Sequence, residues 1–204
     1  MKRLLTPVLF LALFSTLVAP GVTHASLLAP DTDPRVFVLD ASDVGSGFRL
    51  NSDQSGARPN EAASNREDVQ RYQQWGRVSG YNAQFEREPS LLSSLTQTGM
   101  VMQAVSLYRT PQGAQSAFDY SRQRNGQNME MLGMPQVGEA SLAFRMRQTS
   151  SQGMPQGTPL AEAVVIQFRK GNLVQSVVVS GPQGAPVMDD AMAIAQAAAS
   201  KVPD

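Results

Sequence analysis

Two scarce side chains set the chemistry open to this chain. Its 204 residues include no cysteine and one histidine, His24. His24 lies inside a segment that reads as a removable export signal, so the working protein is expected to carry neither imidazole nor thiol. That excludes Ser-His-Asp and Cys-His catalysis, thiolate or imidazole zinc sites, histidine-ligated haem and any disulfide scaffold. Carboxylates, guanidinium groups, hydroxyls, thioethers and backbone groups remain.

Two carboxylate pairs stand out. Glu86 and Glu88 alternate onto one face at a strand end, and Asp189 and Asp190 open a helix. Paired carboxylates can serve as acid and base in hydrolysis, so a carboxylate-dependent hydrolase is one alternative reading. A plainer account is that strand-end acids are solvated and acids at a helix start answer its dipole. Met129, Met131 and Met134 form the densest thioether group. Soft thioethers select Cu(I), which makes a methionine-based copper protein the second alternative, against a role as adaptable core filler.

Arg145, Arg147 and Arg169 fall on strand positions opposite Phe144, Met146 and Phe168. If those strands pair, their guanidinium groups form a patch for an anion or a partner. The competing account is a solvated face with matching acids nearby. Gly45-Ser-Gly47 precedes a short strand instead of leading from a strand into a helix, the wrong context for a phosphate loop. No metal set or cofactor is expected.

The elements that must position these residues follow from apolar spacing. Val69, Tyr72 and Trp75 have helical spacing within Glu61–Trp75, predicting a helix that ends at Gly76. Val78–Arg87 and Met100–Tyr108 alternate as strands, with Tyr81, Ala83 and Phe85 on one face of the first. The second is apolar on both faces and so predicts a central strand. Thr110-Pro111 supplies an N-cap hydroxyl and an N1 proline for a helix running to about Arg124. Residues 125–138 read as a loop, then Leu142, Phe144 and Met146 alternate in a half-buried strand. Residues 148–159 are a second loop.

Gly171-Asn172 joins Ala161–Arg169 to Leu173–Ser180 in a predicted tight hairpin. A closing helix runs from Met188 or Asp189 to Val202, with Met188, Met192, Ala195, Ala199 and Val202 as its predicted stripe. These spacings predict one α+β domain over residues 35–204: a mainly antiparallel sheet of about five strands with helices packed on one face.

Residues 1–25 carry the marks of an export signal. Lys2 and Arg3 precede an apolar stretch from Leu4 to Val18, and small residues Thr23 and Ala25 flank His24 before Ser26. The apolar stretch is short for a bilayer span, which takes about 20 residues, so cleavage and no lasting membrane span are expected. Residues 26–34 read as a flexible lead-in. Cleavage leaves 15 basic residues against 17 acidic ones, a balance that gives no electrostatic footprint for nucleic acid.

Four segments have a familiar texture: Trp75–Tyr81, Val105–Ala114 entering a helix, Val137–Phe144, and Gln167–Val174 followed by the alanine-rich closing helix. Together they resemble a broad group of exported bacterial α+β proteins similar to the extracellular sensor domain of some bacterial Ser/Thr kinases and to the PsbP-like fold. The resemblance implies a curved antiparallel sheet with packed helices and a non-enzymatic binding or sensing role. It carries no functional residues with it. The expected function is an exported, non-catalytic module, periplasmic or extracellular, that binds an envelope protein or a small ligand.

Overall fold

The computed structural model describes residues 27–88, 90, 96–147 and 161–204. The elements in chain order are α1 (Ala41–Val44), β1 (Phe48–Leu50), β2 (Gly56–Ala57), α2 (Arg66–Gln74), β3 (Arg77–Arg87), β4 (Met100–Tyr108), α3 (Pro111–Asn128), β5 (Glu130–Gly133), β6 (Ala140–Arg147), β7 (Ala161–Lys170), β8 (Leu173–Pro182) and α4 (Val187–Ser200). Short 3-10 turns occupy Pro34–Phe37, Ser52–Gln54 and Asn60–Ala62.

All eight strands form one sheet, in the order β1-β3-β4-β8-β7-β6-β5, with β2 also on β3. Every pairing is antiparallel. Two local units make it: the β3–β4 pair, and the β5–β8 meander that follows α3 and closes by setting β8 against β4. The class is α+β, as the apolar spacing predicts. The strand count is eight against the five expected, because β1, β2 and β5 are short edge pieces without a run of buried alternating positions. Among the described residues, no helix is long and apolar enough to cross a membrane.

Capping chemistry sets the helix starts. The Asn65 Oδ1 accepts from the Asp68 N–H at 2.8 Å, so α2 begins at Arg66 while residues 60–62 make a separate turn. Thr110 Oγ1 accepts from the Gly113 N–H at 3.1 Å, which starts α3 at Pro111 as expected. That helix then runs a further turn beyond Arg124 to Asn128. Its last turn is exposed and polar, so no apolar periodicity marked it.

Residues 125–138, expected as a loop, therefore contain the end of α3 and all of β5, which pairs with β6 through Met131 and Phe144. The 171–172 hairpin is present, with φ of 57° at Gly171 meeting the turn's demand for a left-handed residue. Residues 1–25 and the loop expected over 148–159 lie outside the described residues.

Helices cover both faces of the sheet, a correction to the one-sided packing expected. On one face α4 lays Val187, Ala191, Ile194, Ala195 and Ala198 against Phe85, Val101, Val164, Ile166, Val177 and Val179. The buried stripe is turned from the predicted one, and Met188, Met192 and Ala199 flank it. Alanine at the contact lets the helix axis approach a valine-rich sheet closely. On the opposite face α3 packs Ala114, Ala117 and Phe118 against Tyr108, Leu142, Phe144, Val165 and Val174. The two-sided apolar pattern of β4 is the sequence trace of this arrangement.

Residues near the start of the described chain complete the α4 face. Phe37 packs against Val105, Leu107, Leu173 and Val202. Leu28 is fastened by fully buried Asn172, whose Oδ1 accepts from the Leu28 N–H and whose Nδ2 donates to the carbonyls of Leu28 (2.9 Å) and Tyr108 (2.7 Å). Leu28, within residues 26–34, is thereby bonded to the hairpin turn.

Candidate functional site

Where α3 runs on toward β5, the helix layer leaves a cleft of about 450 Å³ over the sheet. Small-molecule sites span roughly 300–1,000 Å³, a range that includes this cleft. Tyr72 of α2, Trp75 at its C-terminal cap, Tyr120 of α3 and Tyr108 of β4 supply aromatic walls, and Ser106, Gln167 and Ser176 are polar groups from the sheet. Trp75 and Tyr120 meet with ring centroids 5.3 Å apart. Gln167 is 7% exposed, and its Oε1 has no hydrogen-bond partner among the described residues.

Among the described residues, Asp68 is the one carboxylate lining the cleft. It is buried and fully engaged: Arg71 Nη1 donates to it at 2.9 Å, Asn65 Nδ2 at 3.0 Å, and Arg124 stands 3.6 Å away. Arg71 also lies over the Tyr120 ring at 4.6 Å, which ties α2 to α3. The floor below has an unusual member. A bulge between Arg77 and Ser79 accompanies the turn of Arg77 onto this face, where it is 7% exposed.

The Arg77 guanidinium stacks on Tyr72 at 4.7 Å and donates to Ser106 Oγ, the Arg58 carbonyl and Asn60 Oδ1. Gly80 makes room for it, since a Cβ there would meet Arg77 Nη2 and the Val105 carbonyl oxygen. Burial pushes the Tyr108 phenol well above its ordinary range, against the pull of the Arg77 charge, so the hydroxyl stays protonated.

The residues singled out from sequence are placed elsewhere. Arg145 and Arg147 share the α4-side face at the end of β6, where Glu130 and Glu162 lie between them. The contacts run from Arg145 Nε to Glu162 Oε1 at 3.0 Å to Arg145 Nη1 and Glu130 Oε1 at 3.9 Å. Two cations meet two anions there. Arg169 is on the opposite face, across from Ala140, and pairs with Glu139 at 2.5 Å. The three arginines do not form one patch.

Met129 lines the cleft, while Met134 lines a separate hollow with Phe118 and Arg122, and Met131 is exposed on β5. The three thioethers thus do not converge on one cleft. Glu86 accepts from Asn51 and Gln84, bonds that hold its carboxyl below the usual range, and Glu88 pairs with Arg49. Asp190 accepts from Thr98 Oγ1 at 2.5 Å. Each carboxylate pair is drawn into structural contacts.

Sequence reasoning missed the cleft. Tyr72 and Trp75 were legible only as an apolar helix stripe, and Gln167 as an ordinary polar position in an alternating strand. A glutamine beside Val165 on a face that helices cover was the available signal.

No family model matches the chain, and no curated protein matches it. Among solved structures it is similar to the extracellular domain of PknH from Mycobacterium tuberculosis, at a TM-score of 0.58 and 15% identity over 87% of this chain and 97% of that one. At that identity the likeness is one of fold, and it agrees with the kinase half of the resemblance read from the sequence.

Proposed function

We propose that the protein is an exported, non-catalytic binding module whose cleft between α2, α3 and the sheet takes a small hydroxyl-rich molecule such as a saccharide unit. One observation carries this reading: Gln167 Oε1 is a buried acceptor without a donor among the described residues. A buried polar atom left unpaired costs about 1–3 kcal/mol, and a ligand hydroxyl recovers that loss once the Gln167 amide turns toward the cleft that the residue lines. The surroundings suit such a ligand. Aromatic faces stack on the C–H faces of a sugar ring while amide and hydroxyl groups orient its hydroxyls. A carboxylate-pair hydrolase needs a second acid, and Asp68 has none beside it in the cleft lining. The basic-then-apolar N-terminus and the extracellular address of the similar PknH domain support export.

The chain's single tryptophan lies in the cleft and reports on occupancy. Titration with neutral disaccharides, with and without N-acetyl groups, is expected to change Trp75 fluorescence saturably and return the sugar unaltered. Gln167→Leu is expected to weaken that binding about tenfold, the loss of one hydrogen bond. No response to any of these sugars at millimolar concentration contradicts the reading, and recovery of cleaved sugar contradicts its non-catalytic part.

A further inference from the structure

The cleft continues into a groove of about 330 Å³ that shares Asp68, Tyr72 and Arg124 with it and adds Arg58, Ser64 and Arg77. Its charge is unbalanced. Arg58 and Arg77 have no carboxylate within 4 Å among the described residues, and Arg124 reaches one at 3.6 Å that Arg71 already holds at 2.9 Å. A buried guanidinium without a counterion is costly to keep, because burial penalises the charged form. Stacking on Tyr72 and three hydrogen bonds offset part of that penalty. They leave Arg77 Nη2 without a partner among the described residues.

We propose that this groove is an oxyanion subsite, which takes a phosphate or carboxylate group on Arg77, Arg58 and Arg124. Guanidinium donors suit such groups; Arg77 offers Nη2, its Nε and Nη1 being engaged, and the rim arginines offer whole guanidinium edges. Arg77 is fixed in the floor by the bulge and by Gly80, so it is oriented before the anion arrives. Arg58 and Arg124 stand exposed at the rim and close on the anion from either side. Asp68 does not repel the anion strongly, since Arg71 and Asn65 already engage its oxygens. This deepens the binding reading by assigning a ligand a hydroxyl-rich part over Trp75 and an acidic part over Arg77.

The test follows the Arg77 Nε–H resonance by NMR while the full chain is titrated with sodium phosphate, then sodium acetate, against sodium chloride at matched ionic strength. A saturable shift with phosphate or acetate, absent with chloride, is expected, and the stronger of the two identifies the preferred oxyanion. The variants alter only the exposed rim, so folding is not at stake. Together R58Q and R124Q are expected to weaken the response tenfold or more. No saturable shift with either anion overturns the proposal. So does an equal shift at exposed Arg66, or unchanged affinity in the double variant. Neutral disaccharides read at Trp75 are a separate arm, so loss of one response with the other intact separates failure of this subsite from failure of the cleft.

Discussion

The two faces of the sheet are built to different standards. The α4 face is closely packed, with Val101, Val164, Ile166, Val177 and Val179 at zero exposure under an alanine-rich helix. In its buried polar pair Gln103 donates to Gln175, with Gln175 Nε2 left over among the described residues. The α2–α3 face closes over Leu142, Phe144 and Val165 at one end, then opens on a cleft with four aromatic rings and an orphaned glutamine oxygen, beside a groove lined by buried Arg77. Such a division lets one face supply most of the cooperative stability while the other keeps an open, aromatic-walled cleft.

That division predicts that substitutions at packed contacts and at the open cleft differ in sign. The largest effect is expected from Ile166→Ala, which opens a cavity under α4 and should lower stability by about 2–5 kcal/mol in denaturant unfolding. Gly113→Ala comes next. A methyl there would raise helix propensity by about 1 kcal/mol, yet it would meet the Trp75 carbonyl oxygen where α3 passes the end of α2. The net expectation is a loss of about 1–3 kcal/mol, because the crowded atom is backbone. A gain in stability would show that the two helices are free to separate.

At the cleft floor the sign reverses. Gln167→Leu removes an unpaired buried acceptor and should leave the ligand-free protein as stable or up to about 1–2 kcal/mol more stable. A clear loss in the melting curve would mean that the oxygen is satisfied within the protein.

The smallest effect belongs to the clamp between the two ends of the α4 face. The Asp43 carboxylate accepts from the Asp40 N–H at 2.8 Å and pairs with Lys201 at 2.9 Å, and both lower its pKa, the backbone bond most. A depressed carboxylate contributes stability above its unfolded pKa of about 4 and loses it as pH falls through the lower folded value. Asp43→Asn should therefore melt earlier than wild type at neutral pH, with the gap closing in acid. A gap that persists unchanged at about pH 2 would contradict this linkage.

Strands and the hairpin were legible because period-two burial writes itself into sequence: Val101, Gln103, Val105 and Leu107 are all at most 1% exposed on the face predicted for them. Residues 130–133 escaped because an edge strand with a bulge buries no full alternation. The candidate site was illegible for a different reason. Arg77 and Gln167 are 90 residues apart, and only the register β3-β4-β8-β7 brings them beneath the same pair of helices. The arginines that spacing did offer were claimed by Glu130, Glu162 and Glu139, partners that strand pairing supplies and linear sequence hides.

The most direct test follows alanine and methionine methyl resonances as a binding disaccharide is added to saturation. Shifts are expected at Ala104, Ala117 and Met129 around the cleft, with Ala191, Ala195 and Ala198 under α4 unmoved. Equal movement of both sets, or movement confined to the α4 face, would contradict the assignment of binding to the open face.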